Sequence, residues 1–242
     1  MNKKSLAKKG IFIVTLFIII IIAMFIVVKY QVEGEKDMPF YIEKILITSM
    51  VDGEAAVESQ NLWDINISGS NDVYIYISKK DGSKETIKNI VIDNFKINLA
   101  PKVGNLRILR PTGNLKNLYQ YSVEDYLDRS IEYIGEANDD LKSLQINNKG
   151  GIIAFRAELE NLGNYISNEE QEIIYDGNLL SKINVSLEDI KSSISFDVTI
   201  KISNNISYKT TITIDLPVGD LITNGNSSVE ITNLEELIFK RG

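Results

Sequence analysis

The chain is expected to be mainly β, with an N-terminal transmembrane helix followed by an immunoglobulin-like β-sandwich ectodomain, read as two tandem sandwiches with one short amphipathic helix between them. Three observations lead there. Residues 11–28 (IFIVTLFIIIIIAMFIVV) form an apolar run whose only polar side chain is Thr15, and roughly 20 helical residues cross the ~30 Å hydrocarbon core of a bilayer. Beyond it, apolar and polar residues alternate with period two, the mark of half-buried strands. Turn residues recur between these runs at the short spacing typical of a sandwich.

Taken in order, residues 1–9 are a basic cytoplasmic tail and residues 10–30 the span. Lys3, Lys4, Lys8 and Lys9 precede the apolar run, whereas only Lys29 follows before Glu33, Glu35 and Asp37. That asymmetry keeps the N-terminus in the cytoplasm. A cleaved signal peptide is the competing reading. The run is longer than a secretory apolar region and MFIVVKYQVEGEK lacks a small-x-small cleavage site, so an uncleaved signal anchor is favoured. Residues 31–37 are read as a juxtamembrane linker.

The first sandwich is placed at residues 38–113. It has strands at 40–50 and 62–68, and a third in which Val73, Ile75 and Ile77 share one face and Tyr74, Tyr76 and Ser78 the other. Asp81-Gly82 turns the chain. Ile90 and Ile92, then Phe95, Ile97 and Leu99, resume the alternation with a phase shift near Asn94 that suits a β-bulge. Residues 114–143 are a helical connector. Val123, Leu127, Ile131 and Ile134 recur at helical spacing after Ser122, a credible N-cap with Glu124 and Asp125 in the first turn, so a helix is predicted over 123–134.

The second sandwich is placed at residues 144–242. Residues 144–146 and the strand carrying Ile153, Phe155, Ala157 and Leu159 are read as a hairpin about the turn 147–151. A longer hairpin follows, with Ile194, Phe196, Val198, Ile200 and Ile202 on one strand, Asn204-Asn205 at the turn, and Tyr208, Thr210, Ile212, Ile214 and Leu216 returning. Pro217 ends that strand, and residues 234–240 supply a last one. No fixed-period repeat or Pro-rich spacer separates the halves, so a single larger sandwich is the rival architecture.

Composition excludes much chemistry. The 242 residues include no Cys and no His. Disulfides, a thiol nucleophile, an imidazole base and the usual zinc sites are therefore closed to this chain. The net charge of −7 divides unevenly. The first 30 residues hold five Lys and no acid, leaving −12 on the remainder and no clustered cations for nucleic acid. Walker-type and Rossmann glycine patterns are missing, so no nucleotide and no cofactor is expected.

The stretches GGIIAFRAELENLGNYIS (150–167), YDGNLL (175–180) and SFDVTI…YKTTITIDLPVG (195–219) resemble a group of uncharacterised single-pass membrane-anchored proteins of clostridia and related low-GC bacteria. The resemblance extends over most of the outward part, including MPFYIEKILITSM. It implies an anchored envelope protein and carries no activity, cofactor or site residue.

Carboxylates are the main acid-base supply. Asp139-Asp140 and Glu169-Glu170-Glu172 lack calcium-loop spacing, and sequence adjacency does not make a glycosidase pair, so they are read as solvated loops and no metal site is expected. A Ser-x-x-Lys dyad occurs only at Ser5 and Lys8, before the span. Tyr74, Tyr76, Tyr119 and Tyr121 are the candidate binding residues, since aromatic platforms stack on sugars or anchor proteins. Their bland alternative is to cover a second layer.

The expected function is a non-catalytic, membrane-anchored binding or scaffolding protein of the bacterial envelope. It would meet the lipid bilayer through residues 10–30 and hold an envelope protein or a wall glycan. A carboxylate-dependent cell-wall glycan hydrolase and an accessory subunit of a membrane complex are the alternatives.

Overall fold

Strands that are apolar at every second position have one face to bury, and here eleven described strands bury it between two sheets. The computed structural model describes residues 3–35, 37–59, 62–112, 120–135, 143–167, 178–234 and 237–242; of residues 3–11, 56–59, 62, 63 and 167 the backbone alone is described.

Helix α1 (Lys3–Glu33) comes first. Within it Phe12–Glu33 is long and apolar enough to cross a membrane, with a mean hydropathy of 3.1, and its apolar side chains from Phe12 to Val28 are all exposed. A helix apolar on every side and buried against nothing in its own chain is suited to lipid. α1 also runs through residues 31–33, so part of the expected linker is helix.

One sheet contains β1 (Phe40–Ser59), β2 (Leu62–Lys79), β4 (Asn105–Leu109), β7 (Gly150–Ser167) and β10 (Asn226–Ile231), in the order β10-β1-β2-β7-β4. The other contains β3 (Ile87–Leu99), β5 (Ile131–Ile134), β6 (Leu144–Gln145), β8 (Ser192–Ile202), β9 (Ser207–Leu216) and β11 (Lys240–Arg241), in the order β11-β9-β8-β3-β5-β6. Short helices α2 (Asn178–Lys182), α3 (Leu187–Ile190) and α4 (Leu221–Asn224) fill the connections.

The two sheets face each other across one core. Phe155 of β7 meets Phe95 of β3 and Phe196 of β8 edge-on, with ring centroids 5.2 and 4.9 Å apart. Such T-shaped contacts lock aromatic layers beyond the area they bury. Val73, Ile75 and Ile77 are buried in this core, as the alternation predicts. Asn94 adopts φ 57° and marks a register shift between Asp93 and Lys96, the expected bulge.

Two tandem sandwiches are not what forms. β1, β2 and β4 precede residues 114–143, yet they hydrogen-bond with β7 and β10, and β3 pairs with β8. The boundaries at 38–113 and 144–242 therefore cut through both sheets. Halves of this size would each bury a smaller fraction of their surface and be only marginally stable, whereas pooling their strands makes one larger core.

The helix expected over 123–134 is also absent. Ser122 N donates to Arg110 O at 2.8 Å and Tyr126 N to Ile108 O at 2.6 Å, while Asp125 Oδ1 accepts from Ile108 N and Leu127 N. These groups satisfy the open edge of β4 instead of a helix of their own. Val123 is left 88% exposed, and Ile131 and Tyr133 are buried at strand spacing in β5. The hairpin expected about 147–151 is likewise replaced. β6 pairs parallel with β5 in one sheet, and the chain then crosses to β7 in the other. Gly150 makes the crossing at φ 129°, where a Cβ would lie 2.4 Å from the Ile77 carbonyl oxygen.

The hairpin β8-β9 forms as expected, with Asn205 at φ 65° in its turn, and β9 stops before Pro217. β10, on the far side of β1, has no counterpart among the expected strands.

Candidate functional site

Period-two geometry puts Asp72, Tyr74 and Tyr76 of β2, Arg156 and Glu158 of β7, Arg107 and Leu109 of β4 and Lys44 of β1 on the outer face of the first sheet. Asp72 and Arg156 are direct cross-strand partners, as are Tyr76 and Lys44.

Arg156 grips Asp72 with two bonds, Nε to Oδ1 at 2.7 Å and a terminal nitrogen to Oδ2 at 3.0 Å. Paired donors on a planar fork hold both side chains in one orientation. The Tyr121 ring lies over the same guanidinium, 4.3 Å from its carbon, and Tyr74 donates its hydroxyl to Asp72 at 3.4 Å. Burial works against the charge on Arg156, but the Asp72 bonds outweigh it and its pKa rises. Burial, then the Asp72 carboxylate, pushes the Tyr121 phenol far above its ordinary value.

Of the four tyrosines expected to bind, Tyr74 and Tyr121 are thus brought together, though as a packed layer. Tyr74 is on the face opposite Val73, Ile75 and Ile77, as expected, yet it is only 9% exposed, because the segment that returns through Tyr121 covers it. Tyr76 is half-buried on the same face, with the Lys44 ammonium 4.8 Å from its ring centre and Lys44 in turn bonded to Glu230 at 2.9 Å. Tyr119 lies outside the described residues.

Arginine is what the sequence reading missed. The chain has five, at 107, 110, 129, 156 and 241, against 21 lysines. Four of the five gather around β4 and the segment covering it. Arg107 bonds Glu160 and the Val123 carbonyl, Arg110 and Arg129 each stand 5.7 Å from the Tyr126 ring, and Arg129 reaches Glu124 at 2.6 Å. The sole hint in the sequence was the scarcity of Arg, which made its placement selective. Glu158 sits among these cations, yet burial, then Glu160, raises its carboxyl pKa.

The result is a face of stacked, ion-paired Arg and Tyr whose outer members, Arg110, Arg129, Tyr76 and Tyr126, keep exposed area. Preorganised guanidinium donors beside aromatic rings recognise carboxylate or phosphate groups and are enriched at protein interfaces. Among the described residues no cluster of three or more acidic side chains could hold a metal ion. In comparison with known proteins, the chain matches no family model, no curated protein and no solved structure.

Proposed function

We propose that this protein is a non-catalytic, membrane-anchored extracytoplasmic binding or scaffolding protein of a bacterial cell envelope, with the arginine and tyrosine face around β4 as its contact surface. The observation that carries the reading is the gathering of arginine and tyrosine about β4, with Arg107, Arg156 and Tyr121 on the outer face of the sheet and Arg110, Arg129 and Tyr126 at its open edge. Buried Arg and Tyr fix the surface, and exposed ones meet an envelope protein or wall glycan bearing carboxylates or phosphates.

The lysines that precede the apolar run of α1 favour a cytoplasmic N-terminus, which puts the sandwich outside. An immunoglobulin-like sandwich is supported by strand order. β1-β2-β7-β4 facing β9-β8-β3 follows the seven-strand arrangement in which the first, second, fifth and fourth strands oppose the seventh, sixth and third, with β5, β6, β10 and β11 added at its edges. The hydrolase alternative would rest on Glu158, the one carboxyl among the described residues with a raised pKa. Its neighbours Asp72 and Glu160 are tied to Arg156 and Arg107, which favours the binding reading.

The test is cross-linking on intact cells followed by capture of the full chain, comparing wild type with R110A/R129A and with K191A, an exposed lysine that takes no part in this face. Loss of partners only in the arginine variant is expected. Equal capture by all three would overturn the assignment of this face.

A further inference from the structure

We propose that the cleft where α1 enters the sandwich binds the phosphate headgroup of an anionic phospholipid through Lys240 and Arg241; the inference rests on reading α1 as a membrane span. The unbroken apolar run of α1 ends at Val28, and Gln31 is about 4.5 Å further along the helix axis. The headgroup layer is roughly 5–7 Å deep on each side of the bilayer core. Tyr30 and Gln31 therefore lie at headgroup depth, where tyrosines are favoured.

No free linker separates this level from the sandwich. Arg241 N donates to the Tyr30 hydroxyl at 2.7 Å, Lys240 Nζ donates to Gln31 Oε1, and Glu35 N donates to Phe239 O at 2.8 Å. β11 is thereby laid against the last turn of α1, which brings Lys240 and Arg241 to the same depth. Between them opens a cleft of about 470 Å³ lined by Gln31, Lys209, Thr210, Ile238, Lys240 and Arg241.

Charge in the cleft is unevenly spent. Lys209 is engaged by Asp197 at 2.8 Å, with Asp93 also near it. Lys240 bonds a neutral amide, and neither it nor Arg241 forms an ion pair with any described residue. On the Tyr208 side, beside Arg241, the carboxylates felt are Glu35, Glu85 and Asp37. An ammonium and a guanidinium fork suit a phosphodiester, and Ile238, 36% exposed, offers an apolar wall to the glycerol above it.

The test uses the full chain reconstituted in nanodiscs of phosphatidylcholine containing a minor share of phosphatidylglycerol, with retained lipids counted by native mass spectrometry. Wild type is expected to keep phosphatidylglycerol in preference to phosphatidylcholine. Each cation near a membrane surface is worth about fivefold in affinity, so K240Q/R241Q should lose the preference by more than tenfold while K191Q, at the far end, keeps it. No preference in wild type, or the same preference in K240Q/R241Q, would overturn the site. Alkaline carbonate extraction of native membranes separates the two readings. A chain washed off by carbonate is not integral, and both fail; a chain that stays but shows no lipid preference leaves the anchor standing and removes the headgroup site.

Discussion

The Tyr133 hydroxyl stands in for a missing strand beside Ala154, donating to its carbonyl at 2.8 Å and accepting from its N–H at 2.9 Å. β4 pairs with β7 only from Arg156 onward, so Ala154 has no ladder partner on that side. Tyr133 belongs to β5 in the opposite sheet and is 1% exposed. One hydroxyl therefore closes the backbone of one sheet and fastens it to the other.

Replacing Tyr133 by Phe keeps the ring and removes that bridge. Two buried backbone groups lose their partner, each worth about 1–3 kcal/mol when left unsatisfied, so Y133F should lower the urea midpoint by the equivalent of about 2 kcal/mol or more. Y76F, on the half-buried outer face, should stay within about 0.5 kcal/mol. Equal midpoints for the two variants in circular dichroism melts would contradict the bridge.

A second polar device lies inside the core. Ser49 Oγ donates to Asn71 Oδ1 at 2.6 Å and accepts from Val218 N at 2.9 Å, and Asn71 Nδ2 reaches Ala157 O at 3.2 Å. Ser49 ties the chain leaving β9 to the hairpin β1-β2. S49A should cost about 1–3 kcal/mol because Val218 N–H and the Asn71 amide oxygen are stranded. In S49A/N71A the second substitution should add less than its cost alone, and strict additivity in a double-mutant cycle would refute the coupling.

These features separate what the sequence revealed from what it hid. Val73, Ile75 and Ile77 alternate cleanly because each faces a core of its own kind, and residues 194–216 fold into their expected hairpin for the same reason. Val123, Leu127 and Ile131 kept helical spacing by coincidence, since Asp125 and Ser122 serve the edge of β4, a partner distant in the chain. The join between the two halves was hidden because strand pairing is long-range: nothing local to Leu106 says that it lies opposite Leu159. The arginine face was illegible for that reason too, its members lying up to 49 positions apart and meeting only through the β4-β7 register and the segment laid along the other edge of β4.

Stability should fall in acid through Asp197. Burial raises this carboxyl, but hydrogen bonds from Lys209, Thr211 and Asn94 together outweigh it and hold its pKa below the ordinary value. A carboxyl depressed in the folded state contributes stability above its unfolded pKa, near 4, and that contribution is lost as pH falls through the folded value. Lys209 is raised by the same bond, so its share is present below its unfolded pKa, about 10.4, and is lost as pH rises through the folded one. D197N should therefore cost about 1–2 kcal/mol at neutral pH and progressively less as pH falls from about 4 through the folded value. Parallel curves of midpoint against pH for D197N and wild type would rule this out.

Gly34 is where α1 and the sandwich are fused, and its substitution should loosen that joint without unfolding either part. It ends α1 at φ 68°, its N–H still bonded to Tyr30 O at 2.8 Å, a left-handed cap that glycine adopts without strain. An added Cβ would lie 2.5 Å from Phe239 O and 2.6 Å from Ile238 Cγ2. Backbone cannot yield there as a flexible side-chain tip would, because Phe239 O accepts the Glu35 N–H. G34A combines the cost of a non-glycine left-handed residue with that clash, about 1–3 kcal/mol at the joint. The loss should appear as faster hydrogen exchange at the Arg241 amide, which Tyr30 holds, while exchange across β8 and β9 stays unchanged. Uniformly faster exchange would mean that Gly34 supports the whole fold, and no change at Arg241 would mean that β11 is held by β9 alone.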